Sequence, residues 1–122
     1  FDNTQPIWVQ IYELLLTHIA DGEWCEEERV ASVRELGATL AVNPNTVMRA
    51  YERATDEQLI YNRRGIGYFV SVGARERAAT LLRQRFEREQ LPSIFRSMQR
   101  VGITAEEFVS LYKNYQENEN KQ

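Results

Sequence analysis

The chain has 122 residues, of which 43% are hydrophobic and 11% aromatic, and its formal net charge at pH 7 is −3. This size suits one compact domain, or a small domain with an oligomerisation appendage, and no apolar run approaches the 18 residues of a membrane span. We therefore predict a cytoplasmic protein with no membrane partner, in which Cys25, the single cysteine, excludes an intrachain disulfide.

The first predicted helix begins near Pro6, because proline favours the first position of a helix, and it ends at Gly22. Trp24 is expected to fold back onto the apolar face of this helix, and the acidic residues 26–28 are expected to form a solvated loop. The apolar residues of that face recur at helical spacing and are Ile7, Ile11, Leu14, Leu15 and Ile19.

A short turn joins the second and third predicted helices. Ser32 and Glu35 form a capping box, which begins the second helix. Asn43 is a favoured N-cap and Pro44 a favoured first residue, so the third helix follows the second after only a few residues. Two helices joined by such a turn are typical of a helix-turn-helix, which places one helix in the DNA major groove.

The apolar pattern changes after the third helix from a helical period to β-favouring runs. Residues 59–62 and 68–72 are such runs, and they flank the segment Arg63-Arg64-Gly65-Ile66-Gly67. The two glycines allow positive φ and a close approach of the backbone to a ligand. This pattern predicts a β-hairpin, the wing of a winged helix-turn-helix.

A helical pattern returns after Gly73 and continues towards the end of the chain. Pro92 is expected to kink or restart the helix, and Gly102 to end it. A capping box at Thr104 begins a final helix, and the polar tail 116–122 is expected to fray. The predicted fold is therefore mainly α with a small β-hairpin wing.

The net charge conceals an uneven distribution along the chain. Residues 1–28 contain seven acidic residues and no lysine or arginine, whereas residues 29–70 contain six arginines and four acidic residues. Residues 71–122 contain nine basic and seven acidic residues. Phosphate contact depends on local potential, so this distribution is compatible with double-stranded DNA as a partner, bound weakly when the sequence is non-specific.

The polar side of the third helix carries side chains that suit base edges. Asparagine pairs with adenine and arginine with guanine, each pair contributing about 1–3 kcal/mol of discrimination. The start of the second helix and the wing suit phosphate or minor-groove contact. The alternatives are an ordinary solvated helix face, a surface ion pair and a charged hairpin. The predicted DNA-binding residues are Arg34, Asn45, Thr46, Arg49, Arg53, Arg63, Arg64 and Gly67.

The remaining residues give no pattern of an enzyme or a metal site. His18 is predicted to be a packed or half-exposed histidine, and with Cys25 it makes a poor set of metal ligands. The acidic residues 26–28 suit a solvated loop better than a general acid/base site. We therefore predict no catalytic activity, no cofactor and no metal.

Four segments carry a more specific pattern, and together they cover nearly all of residues 4–72. They are Pro6-Ile7-Trp8-x-Gln10-Ile11, Ser32-Val33-Arg34-Glu35-Leu36, Val42-Asn43-Pro44-Asn45-Thr46-Val47-x-Arg49-Ala50-Tyr51 and Arg64-Gly65-x-Gly67-x-Phe69-Val70. These segments resemble the GntR family of bacterial winged-helix transcription regulators, and specifically its short YtrA-like branch. The chain departs from the family pattern at Gln58, where a glycine is usual, so the third helix is expected to end with another geometry.

The resemblance implies DNA contacts at Arg34, on the polar face of the third helix, and in the wing around Gly67. It also implies a homodimer formed by the C-terminal helices, so residues 73–122 are predicted to be a helical dimerisation region with a frayed tail. Residues 1–72 are then the winged helix-turn-helix DNA-binding domain. The predicted interface residues are Leu82, Phe86, Phe95, Met98, Phe108 and Tyr112, which as apolar residues suit a core or an interface better than a ligand cage.

These expectations describe a sequence-specific transcriptional regulator, a homodimeric repressor that reads a pseudo-palindromic operator. Members of the branch often regulate transporter operons. A small-molecule effector is compatible with this function, but the sequence identifies none. The alternative is a winged-helix module that binds protein partners and not DNA, which the intact polar residues Asn45 and Arg49 disfavour.

Overall fold

The computed structural model describes residues 1–121, which form six α-helices, one π-helical segment and one two-stranded antiparallel sheet. The predicted fold class, mainly helical with a hairpin wing, is confirmed. The elements are α1 (Ile7–Ala20), α2 (Val33–Leu40), α3 (Pro44–Asp56), β1 (Ile60–Arg63), β2 (Gly67–Val70), α4 (Ala74–Arg85), the π-helical segment (Phe86–Gln90), α5 (Leu91–Val101) and α6 (Ala105–Asn120).

The chain forms two compact units, Phe1–Gln84 and Arg85–Gln122. The first extends beyond the winged helix-turn-helix because Ala74 and Ala78 of α4 are fully buried in its core. The predicted boundary at residue 72 marks the end of the motif and stays a prediction.

The core of the first unit lies between α1, α3 and the sheet. The apolar face predicted for α1 is buried at Ile11, Leu15 and Ile19, but the buried stripe is wider than predicted and also includes Tyr12 and Leu16. Ile7, in the first turn, is instead 44% exposed. Trp24 packs against this core, as predicted.

Side-chain caps begin α2 and α3, and a buried glycine in α2 allows a tight turn between the two helices. Ser32 and Glu35 form both bonds of the predicted capping box, and the Asn43 side chain accepts a hydrogen bond from the Asn45 amide at 2.8 Å. Gly37 is buried, and a Cβ at this position would lie 3.0 Å from the Val42 carbonyl oxygen. Glycine thus allows the two helices to meet closely.

The end of α3 uses a left-handed residue although that residue is not glycine. Gln58 has a φ of +62°, and the Leu59 amide donates to the Ala54 carbonyl at 2.9 Å. A non-glycine residue in this conformation costs about 1–2 kcal/mol. The expectation of a different geometry was wrong, since the chain keeps the usual helix stop and accepts the strain.

The wing is a hairpin with a third backbone segment at its outer edge. Strands β1 and β2 pair from Ile60 with Val70 to Arg63 with Gly67. Residues 27–30, whose acidic side chains are exposed as predicted, also bond to β2, for example through the Val30 amide and the Tyr68 carbonyl at 2.9 Å. The predicted loop is therefore solvated on one side and tied to the sheet by its backbone.

The second unit is built from α5 and α6. Pro92 lies in the first turn of α5, and the Leu91 amide bonds to the Phe86 carbonyl five residues earlier, so the predicted restart takes the form of a π-helical segment. Gly102 ends α5 with a φ of +75°. Helix α6 continues to Asn120, because residues 116–120 contain no helix breaker, and the predicted frayed tail is thus helical there. The rest of that prediction, at Gln122, lies outside the described residues.

Candidate nucleic-acid interface

Helix α3 has one buried, largely apolar side and one exposed polar side. Its buried residues are Val47, Ala50, Tyr51 and Ala54. On the other side Asn45 and Arg49 are exposed one turn apart, and Thr46 is half-buried. This arrangement leaves an amide and a guanidinium, two groups of the types that suit base edges, facing solvent.

The guanidinium of Arg49 lies over an aromatic ring of α1. Its Cζ is 4.6 Å from the centroid of the Trp8 ring. Within residues 1–121 no carboxylate forms an ion pair with Arg49. Stacking covers one face of the guanidinium and leaves its in-plane N–H groups for other acceptors.

Arg53, one turn further along α3, is arranged differently. Its Cζ lies 4.7 Å from the Tyr12 ring centroid, and its Nε donates to Glu57 Oε1 at 2.7 Å. The Tyr12 hydroxyl donates to the other oxygen of the same carboxylate. The bond to Glu57 raises the pKa of Arg53, so this guanidinium is charged but neutralised within the fold.

Arg34 is exposed in the first turn of α2, where the free N–H groups of the helix favour an anion. The surface ion pair considered as an alternative, with Glu35 or Glu57 as its partner, is not formed by Arg34 within residues 1–121. Glu57 is held by Arg53 and Tyr12, and Glu35 completes the Ser32 capping box. Hydrogen bonds from Ser32 hold the pKa of Glu35 below its ordinary value, with a smaller contribution from Arg29.

Arg29 is a basic residue of this surface that the sequence analysis missed. Its Nε donates to the Ile66 carbonyl at 3.3 Å, and its Nη2 lies 3.6 Å from Glu35 Oε1. Arg29 therefore links the tip of the wing to the start of α2. The available signal was an arginine between the acidic residues 26–28 and the apolar Val30.

The wing tip presents two further arginines and a glycine. Arg64 is exposed, and the exposed Arg63 has its Cζ 4.9 Å from the Phe69 ring centroid. Gly67 has a φ of +138°, and a Cβ there would lie 3.0 Å from Arg29 Nε. Glycine at this position thus serves both the turn and the close approach of Arg29.

Aromatic residues fix the wing against α3. The Tyr51 and Tyr68 rings meet edge to face at 5.1 Å, and the Tyr51 hydroxyl donates to the Ala31 carbonyl at 2.6 Å. Burial raises the pKa of Tyr51, so the donor keeps its proton at any physiological pH. Tyr68 also reaches Met48 Sδ at 3.8 Å. These contacts hold α3 and the hairpin in one arrangement.

The predicted interface residues differ in their surroundings. Leu82 packs against the core of the first unit, and Met98 is half-buried. The aromatic residues of the set are exposed by 40–54%, and they are Phe86, Phe95, Phe108 and Tyr112. The second unit thus exposes large apolar side chains, as interaction surfaces do.

His18 is half-exposed, as predicted; its Nδ1 lies 2.6 Å from Glu23 Oε2 and its ring stacks on Trp24. No group of three or more His, Cys, Asp or Glu residues within 1–121 could hold a metal ion. None of the helices formed by these residues has both the length and the apolar character to cross a membrane.

A helix-turn-helix, an exposed polar recognition helix and an arginine-bearing hairpin define a winged-helix DNA-binding protein. The family description "Bacterial regulatory proteins, gntR family" matches residues 8–70. The chain therefore belongs to the GntR family, and it is a DNA-binding transcriptional regulator; the matched family and relatives are regulators, not enzymes.

Individual relatives agree with this family. The chain is 29% identical over 119 residues to the HTH-type transcriptional regulator YhcF of Bacillus subtilis, covering 96% of this chain and 95% of that protein. It is 33% identical over 73 residues to the transcriptional repressor YtrA of the same species, and the match covers 60% of this chain and 56% of that protein. A GntR-family regulator from Bacteroides thetaiotaomicron has a similar structure, with a TM-score of 0.78 and 37% identity. The match covers 92% of this chain and 98% of that one.

Proposed function

We propose that the protein is a homodimeric repressor that acts in the cytoplasm by occupying a pseudo-palindromic operator. The observation that carries the proposal is the exposed pair Asn45 and Arg49 on a recognition helix whose wing is fixed by aromatic contacts. Because each side chain offers two hydrogen bonds to one base, this pair can discriminate adenine and guanine.

The predicted DNA-binding residues divide into three groups by their surroundings. Asn45, Thr46 and Arg49 read bases from α3. The second group contacts phosphate or the minor groove around the helix start and the wing, and its members are Arg34, Arg63, Arg64 and Gly67. Arg53 forms the third group: it contributes only a weak phosphate contact, because Glu57 already neutralises its charge.

The exposed apolar residues of the second unit support a homodimer. Phe108 and Tyr112 lie one turn apart on α6, and Phe95 of α5 is 50% exposed. Pairing two copies through this unit would bury these rings and place two recognition helices about 34 Å apart, one turn of DNA. A symmetric dimer of this kind reads a symmetric operator.

The relative YtrA is named a repressor, and this supports repression as the direction of control. Repression is also the simplest action of a small regulator that covers a promoter. The resemblance to the short branch makes a transporter operon the first regulated target to examine.

The proposal is tested by selecting duplexes from a random library with the unmodified protein. We expect a palindromic motif, with an affinity by fluorescence anisotropy that falls steeply as salt rises, because arginine contacts release counterions from phosphates. Arg34→Ala provides a matched variant, which should weaken binding to all sequences and reduce the salt slope. A folded dimer that enriches no motif would contradict the proposal and favour a protein-binding module.

A further inference from the structure

We propose that Trp8 is a positioning residue for DNA recognition, which holds the Arg49 guanidinium in the orientation that reads a base. This inference rests on the proposed function, and it adds a residue of α1 to the machinery of sequence reading. Its basis is the stacking of Arg49 over the Trp8 ring at 4.6 Å.

Two arginine–aromatic pairs run side by side between α1 and α3. Trp8 and Tyr12 are four residues apart on α1, and Arg49 and Arg53 are four residues apart on α3. Side chains at this spacing lie on one face of a helix, so the pairs form two successive rungs. The inner rung serves the fold: Tyr12 is 1% exposed, and its hydroxyl and Arg53 share one carboxylate.

The outer rung has no such carboxylate. Trp8 is only half-buried. Among the described residues, it belongs neither to the hydrophobic core nor to the side chains packed against that core. A large ring at this place does little for the core, and its evident contact is the guanidinium of Arg49. Only the inner rung therefore has a carboxylate, that of Glu57, to occupy the in-plane N–H donors of its arginine.

Stacking on Trp8 favours recognition for a geometric reason. Arginine binds guanine through N–H groups that lie in the guanidinium plane, whereas the ring contacts the face of that plane. An exposed arginine otherwise samples many rotamers, and ordering it on binding weakens affinity. The ring restricts those rotamers before DNA arrives and leaves the in-plane donors free.

The test is a double-mutant cycle on the duplex that the unmodified protein selects. Trp8→Leu should weaken binding by about two- to fivefold, the range expected for a cation–π contact of an exposed arginine. Trp8→Tyr, which keeps an aromatic ring, should restore most of the affinity. In an Arg49→Ala background, Trp8→Leu should cause no further loss, because the partner of the ring is already absent.

Two results would overturn the inference. One is an unchanged affinity of a folded Trp8→Leu protein; the other is a loss that is equally large in the Arg49→Ala background, which would indicate a general structural role. With either result, binding of the duplex by the unmodified protein would still support the proposed function, and only the role of Trp8 would be rejected. A protein that enriched no duplex would overturn both.

Fluorescence gives a second measurement that does not require a variant of Trp8. The chain has two tryptophans, so Trp24→Phe leaves Trp8 as the single tryptophan, which is excited selectively over tyrosine at long wavelength. Its emission should change during a titration with the selected duplex, with the same midpoint as the anisotropy. An emission that stayed constant through saturation would contradict a position of Trp8 beside the reading side chain.

Discussion

The hydroxyl of Tyr12 donates a hydrogen bond to the carboxylate of Glu57, and so ties the middle of α1 to the end of α3. Arg53 completes the group from the same helix as the carboxylate. Because α1 and α3 pack against each other in the first unit, this polar group links the two helices across their contact.

Removing this hydroxyl should lower stability without changing the fold. Tyr12→Phe keeps the buried ring and deletes one hydrogen bond to a charged group, so we expect a loss of about 1.5–3 kcal/mol in the free energy of unfolding. Urea denaturation measures the loss. Tyr61→Phe, which deletes a hydroxyl on the wing, is the control and should change stability less. Equal stabilities of the two variants would contradict the role of the bond.

The arginines of the inner and the outer rung should differ in their effect on DNA binding. Arg49→Ala is expected to reduce affinity for the selected duplex by about 5- to 150-fold, equivalent to about 1–3 kcal/mol, and to relax the preference at one base pair. Arg53→Ala should reduce it by about threefold or less, because its charge is already neutralised. Anisotropy on matched and single-substitution duplexes measures both. A larger loss for Arg53→Ala would assign the base contact to Arg53.

Local signals in the sequence predicted most of the elements that carry the interface. The capping boxes at Ser32 and Thr104 and the N-cap at Asn43 all formed, because each depends only on residues within three positions. The hairpin formed for the same reason, since Gly67 has the positive φ that its tip requires.

Contacts between distant parts of the chain were not predictable in this way. Arg29 meets Ile66 across 37 residues, and Trp8 meets Arg49 across a similar distance, so no spacing rule connects them. The neutralisation of Arg53 is different, because its partner Glu57 lies four residues further along and this spacing was a signal in the sequence. Residue types on the helix predicted which groups face solvent, but only packing determined which of them were already engaged.

The wing should depend on Arg29, although this residue was not among the predicted contacts. Arg29→Ala removes the bond to Ile66 and the contact with Glu35, and we expect a loss of DNA affinity of about three- to tenfold with little change in stability. Arg100→Ala on α5 is a control with the same change of charge. If the two variants lost affinity equally, net charge and not the position of the wing would explain the effect.

The stability that Glu35 contributes at the start of α2 should be lost in acid. Because Ser32 holds the folded-state pKa of Glu35 below its unfolded value, the ionised carboxylate stabilises the fold above about pH 4.3. That contribution is lost as the pH falls through the lower folded-state pKa. Glu35→Gln should therefore show a shallower loss of stability between about pH 5 and pH 3, by denaturation at each pH. Identical profiles for the two proteins would contradict the prediction.

The apolar face of α6 should be required for dimerisation, and through it for operator binding. Phe108→Asp places a charge where the proposed interface would bury it, so sedimentation should show a shift to monomer. Ser110→Asp adds the same charge two residues away on this helix, where the helical period turns it towards another face, and should leave the dimer intact. Because a monomer contacts a single half-site, the Phe108→Asp protein should also lose most of its affinity for a palindromic duplex while keeping its folded winged helix. A Phe108→Asp protein that stayed dimeric would place the interface elsewhere in the chain.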